Sequence, residues 1–145
     1  MSGVGVVVVL AALAVTVVVA WWVRTRDGAV RTPAAAVPAH LPVFARLGVD
    51  PAAADLTVVQ FSTAFCGPCR TTKARLEHLR TARPRLAYVH VDAESHLDEV
   101  RELDVRRTPT LFYLDRQGQL IGRSSGAPRP DELTALVDAH AGAGR

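Results

Sequence analysis

Cys66 and Cys69, separated by Gly67-Pro68, are the only thiols in this chain of 145 residues. A pair at that spacing can exchange with a disulfide, contribute to a metal site, or form a structural crosslink. A closed zinc site takes four ligands, commonly two such pairs. One pair falls short, and His78 or His90 would complete a site only by an accident of folding, so no metal and no cofactor are expected. A crosslink closing so short a loop removes little entropy from the unfolded chain. Residues 41–145 are also enough to bury a core without one. Disulfide exchange is the use expected of the pair.

Position supplies the reason for reactivity. Residues 56–62 include Leu56, Val58, Val59 and Phe61 in a nearly continuous apolar run, the pattern of a strand covered on both faces. Residues 66–81 follow as a helix, with Leu76 and Leu79 inward, Arg70, Lys73, Arg75, Glu77 and Arg80 mostly outward, and a stop before Pro84. A Cys66 thiolate at this junction faces unpaired N–H groups and the positive end of the helix dipole, which lower a thiol pKa. Cys66 is therefore the expected attacking thiol. Cys69, one turn on, is placed to attack the mixed disulfide and release reduced substrate. Pro68 near the helix start gives up a donor that has no intrahelical partner.

Other elements must hold this junction in place. A short helix over residues 41–47 (Leu41, Phe44, Leu47) precedes the first strand, and residues 86–91 form the next strand. Ser95 with Asp98 forms an acidic capping box for a helix whose apolar side is Leu97, Val100 and Leu103. After Thr108-Pro109, residues 110–114 and 120–123 read as a hairpin around a turn at 115–118. Pro130 opens a last helix with Leu133, Leu136 and Val137 inward. The order βαβαββα demands an α/β fold, with a central mixed β-sheet flanked by helices.

Residues 4–23 carry no charge and are long enough, at about 1.5 Å per residue, to cross the roughly 30 Å core of a bilayer. Trp21 and Trp22 suit the headgroup region at its end. A cleaved signal peptide would have a basic start and a small-residue exit, whereas Met1-Ser2-Gly3 is uncharged and the tryptophans occupy the exit. Residues 1–24 are thus expected to be a single-pass transmembrane anchor and residues 25–40, rich in Ala and Pro, a semi-rigid linker. Arg24, Arg26 and Arg31 on the only charged flank argue for a cytoplasmic domain. The net charge of +3 comes from arginines alternating with Asp and Glu, without the basic stripe that nucleic-acid binding requires.

Phe65-Cys66-Gly67-Pro68-Cys69-Arg70 after a buried strand, and Thr108-Pro109-Thr110 before a hairpin, resemble the thioredoxin family in order and spacing, with Gly118 and Gly126 also in register. The resemblance covers residues 41–141. It implies a thioredoxin-like fold, a cis bond at Pro109, and a substrate-binding surface of Phe65, Gly67, Pro68, Thr108 and Pro109. There an extended substrate would pair with the backbone of Thr108. Phe65 stands where general reductants of the family carry Trp. Gln60 occupies the place of a buried Asp that assists the resolving cysteine, Tyr88 the approximate place of its Lys partner, Ser62 that of a second Trp, and Ala74 that of a helix-kinking Pro. Gln cannot titrate, so Cys69 must lose its proton by another route. Among the five histidines, His90 is the one placed to be examined as an acceptor.

The resemblance implies a protein disulfide reductase acting on protein disulfide substrates. An electron donor, either a thioredoxin reductase or a membrane thiol carrier, would regenerate the dithiol. Gly-Pro between the cysteines accompanies reducing members of the family. Two alternatives stand beside it: a dedicated extracytoplasmic reductant of the cytochrome c maturation type, and a redox-sensitive binding module that seldom turns over. The family's habit of holding anchored redox domains outside the membrane opposes the arginine argument on sidedness.

Overall fold

The computed structural model describes residues 3–26, 28–31 and 41–141. Its centre is strand β1 (Leu56–Ser62), in which every residue is buried. Parallel to it runs β2 (Leu86–Asp92), with Gln60 opposite His90. On its other side β3 (Thr110–Asp115) runs antiparallel, with Gln60 opposite Leu111. β3 then pairs antiparallel with β4 (Leu120–Ser125), giving the order β2-β1-β3-β4. This is the mixed sheet expected from the element order. The hairpin closes because Asp115 Oδ1 accepts from the amides of Gln117 and Gln119 at 2.9 and 2.8 Å, while Gly118 adopts a φ of 77° that favours glycine.

Side-chain alternation along β1 divides the core into two layers. Val59 and Phe61 face Val43 and Phe44 of helix α2 (Leu41–Arg46) and Leu103, which caps helix α4 (Leu97–Glu102). Phe112 packs edge-on against both Phe44 and Phe61, at 5.5 and 5.8 Å between ring centres. Leu56 and Val58 face Leu76 and Leu79 of helix α3 (Gly67–Ala82) and Leu133 and Val137 of helix α5 (Pro130–Ala141). Gln60 shares the parity of Val58, which directs it under α3.

Several boundaries differ from those expected. α3 begins at Gly67, with Cys66 as its cap in extended conformation, φ −90° and ψ 98°. The Ser95–Asp98 box does not form. Asp92 draws in the Ser95 hydroxyl and the Glu94 amide, so His96 becomes the N-cap without a side-chain bond. Leu97, assigned inward, is 53% exposed, because the cap shifts and α4 is only six residues long.

Helix α1 (Gly3–Arg26) is exposed along its length. It is long and apolar enough to cross a membrane, a property shared with signal sequences. Within the stretch read as a linker, residues 28–31 lie against the outer edge of β4. Gly28 N–H donates to Ser125 O at 2.9 Å, and Arg31 and Arg123 exchange main-chain bonds of 2.8 and 2.9 Å. Gly28 is required there, because at φ 77° a Cβ would stand 2.0 Å from Ala127 O. The remainder of the expected linker, residues 32–40, lies outside the described residues.

Candidate functional site

Cys66 and Cys69 are joined as a disulfide, with their Cα atoms 5.2 Å apart. Cys66 Sγ accepts from the Cys69 amide at 3.2 Å, so the sulfur occupies the capping position that an Asp or Ser oxygen fills in most helices. That amide, together with the dipole of sixteen-residue α3, would stabilise a thiolate at Cys66 in the reduced protein. Cys66 is 9% exposed and Cys69 3%. The more exposed of the two cysteines is therefore also the one at the helix end.

The Thr108-Pro109 peptide bond is cis. Its loop is held from three sides: Thr63 and Thr108 hydroxyls meet at 3.3 Å, Thr110 Oγ1 donates to Arg107 O at 2.7 Å, and Gly126 N–H donates to Pro109 O at 2.7 Å. Pro68, Thr108 and Pro109 line one groove with Gly126, Ala127 and Pro128. Thus Pro68 from the first motif meets Thr108 and Pro109 from the second in one groove, while Cys66 borders a separate cavity with Cys69. Phe65 does not shield the disulfide. It is 97% exposed among the described residues.

Beneath Cys69 lies an uncharged network. Gln60, with no exposure, donates from Nε2 to Ser62 Oγ at 2.9 Å and to Cys69 O at 3.0 Å. Its Oε1 accepts from the Tyr88 hydroxyl at 3.1 Å. Burial, with Glu77 nearby, raises the Tyr88 pKa and keeps the phenol neutral. Gln60 and Tyr88 therefore replace a buried charge pair by hydrogen bonds that leave no ion to desolvate.

A cavity of about 260 Å³ is lined by both cysteines together with Ser62, Lys73, His90 and Asp92 among others. His90, singled out from the sequence, does share this cavity. Burial, and then Lys73, push its pKa below the usual histidine value, against the pull of Asp92 and Glu77. It is thus a neutral base near neutrality. Among the described residues no group of three or more His, Cys, Asp or Glu could hold a metal.

Sequence reasoning missed the charge of the groove. Arg24, Arg107 and Arg129 also line it. Arg107 and Arg129 each lie within two residues of a proline and could have been noticed. Arg24, in α1, carried no local signal.

The chain matches the Thioredoxin family over residues 49–139. It is 31% identical over 90 residues to thioredoxin of Pongo abelii, covering 62% of this chain and 84% of that one. It is 29% identical over 86 residues to Thioredoxin H4-1 of Oryza sativa subsp. japonica, covering 57% of this chain and 65% of the rice protein, just under two thirds of its length. Among solved structures, oxidised mitochondrial thioredoxin 3 of Saccharomyces cerevisiae superimposes with a TM-score of 0.52 at 31% identity, over 59% of this chain and 79% of that one. Fasciola hepatica thioredoxin gives 0.54 at 26%, over 61% and 84%.

Proposed function

Since this chain belongs to the thioredoxin family, we propose that it is a thiol-disulfide oxidoreductase working as a protein disulfide reductase, held at a membrane by residues 1–24. The observation that carries the reading is the Cys66 sulfur capping α3 and accepting from the Cys69 amide. In the reduced protein the Cys66 thiolate attacks one sulfur of a substrate disulfide. The substrate S–S bond breaks, its departing sulfur takes up a proton, and a mixed disulfide with Cys66 forms. Cys69 then gives up its proton and attacks Cys66 Sγ, releasing the second substrate thiol. Two electrons have passed to the substrate, and the Cys66–Cys69 disulfide is the oxidised product. A dithiol donor must return those electrons in a second exchange.

Phe65, Gly67, Pro68, Thr108 and Pro109 would meet the substrate, whose extended backbone would pair with that of Thr108. The neutral Gln60–Tyr88 network gives Cys69 no carboxylate to deprotonate it. This favours a second, narrower reading, a reductant dedicated to few membrane-associated partners. The apolar α1 supports anchoring of a domain formed by residues 41–145. Arg24, Arg26 and Arg31 support a cytoplasmic side, the family's usage of such anchors supports the opposite, and protease protection in sealed vesicles decides between them.

Insulin reduction by the full chain in detergent micelles is the test. Activity that disappears in Cys66→Ser, with a covalent substrate adduct accumulating in Cys69→Ser, is the expected result. No turnover by the intact protein would turn the assignment into a redox-sensitive binding module.

A further inference from the structure

Among the described residues, the charged side chains that line the groove beside cis-Pro109 are all basic. Arg24, Arg107 and Arg129 line it, and among the described residues lining it there is no carboxylate. Arg129 is ion-paired with Glu132 and Arg107 is itself engaged by a neighbour, so part of that charge is already compensated. Arg107 also borders a second cleft, lined by Arg26, Arg31, Arg106 and Arg123, with Asp104 the one acid among its described lining residues. Asp104 pairs with Arg106 at 2.7 Å. The positive field therefore continues from the groove along the outer edge of β4. In such a cleft like-signed charges reinforce one another and favour a partner of opposite sign.

The source of Arg24 gives the field a location. It follows Trp22 by two residues near the end of apolar α1, and the Arg26 guanidinium lies 3.8 Å from the centre of the Trp22 ring. The main-chain bonds of residues 28–31 to β4 then fix the helix end against the sheet. One wall of the groove thus comes from the segment that would emerge from the bilayer.

We infer that the Pro109 groove selects disulfides carried on acidic, extended segments presented at the membrane surface. This rests on the reductase reading and names its substrate class. Acidic side chains flanking the substrate cystine would meet Arg24, Arg107 and Arg129 while the backbone pairs beside Pro109.

The test uses the full chain in phosphatidylcholine vesicles and synthetic disulfide peptides flanked by glutamates, glutamines or lysines. Binding to the oxidised protein is read by fluorescence anisotropy, and turnover of the reduced protein by peptide thiol release. The glutamate peptide is expected to bind about tenfold more tightly than the glutamine peptide at low ionic strength, with the ratio approaching one near 1 M salt, where the screening length is about 3 Å. Arg24→Gln and Arg107→Gln should each reduce the ratio by about twofold to threefold. Equal binding of the three peptides overturns the inference even if all are reduced. Ranked binding without turnover upholds the groove's preference and sinks the reductase reading instead. If peptide binding is unranked but vesicles containing phosphatidylglycerol draw the groove arginines to their surface, the site takes lipid headgroups and the inference falls.

Discussion

Gln60 Nε2 lies 3.0 Å from the carbonyl oxygen of Cys69, so a neutral amide on the central strand supports the first turn of α3. The same amide ties Ser62 and Tyr88 to the helix start. A Gln60→Leu substitution leaves these buried groups without partners and should cost about 1–3 kcal/mol, read as a lowered Tm. Gln60→Asp introduces a titrating group that burial holds protonated to higher pH. Faster resolution of a trapped mixed disulfide is expected from it. An unchanged resolution rate would show that loss of the Cys69 proton does not limit turnover.

Gly28→Ala should release residues 28–31 from β4, because the new methyl collides with Ala127 O at a φ that costs roughly 1–2 kcal/mol for an L side chain. Amides of Arg31 and Arg123, now bonded across that edge, should exchange with deuterium about tenfold faster. Retained protection would mean that the pairing does not depend on this turn.

Leu76 is wholly buried between α3 and the sheet, and Leu76→Ala should cost about 2–5 kcal/mol. Thermal melting reports the loss. Below the lowered Tm the reaction of Cys66 with a small disulfide should keep its rate, since the cap and the 3.2 Å contact belong to the helix end and not to its packing face.

Acidification should weaken the fold in two windows. His90 has a depressed pKa, so the unfolded chain binds its proton first as pH falls, and stability drops from about pH 6.5 toward the lower native value. Asp92 is held below the usual carboxylate range by the Ser95 hydroxyl and the Glu94 amide, and Asp55 by Arg85. Their contributions are present above the unfolded pKa of about 3.9 and disappear as pH falls through the native values. Tm followed from pH 8 to pH 3 should show the upper step flattened in His90→Gln and the lower one in Asp92→Asn.

The element order and the joining of two distant motifs were legible because each element carries its own local marks. Pro84 and Pro130 bound helices, the Asp115–Gly118 turn closes the hairpin, and the apolar run of β1 announces a strand covered on both faces. Ser95 misled because Asp92, three residues earlier, competes for its hydroxyl, and a capping pattern does not reveal such a competitor. The pairing of residues 28–31 with β4 was invisible for another reason. Four residues show no period, and their partner is identified only once the sheet order leaves β4 at an edge. Arg24 entered the groove through the same long-range contact.

The attachment of residues 28–31 to β4 also decides how load travels through the molecule. Tension along α1 would load residues 28–31, where three main-chain hydrogen bonds join Gly28 and Arg31 to β4. Those bonds can open one after another while β1, β2 and β3 keep every rung of their ladders. α1 and the sheet are thus joined by a clutch, which can slip before β1 is strained.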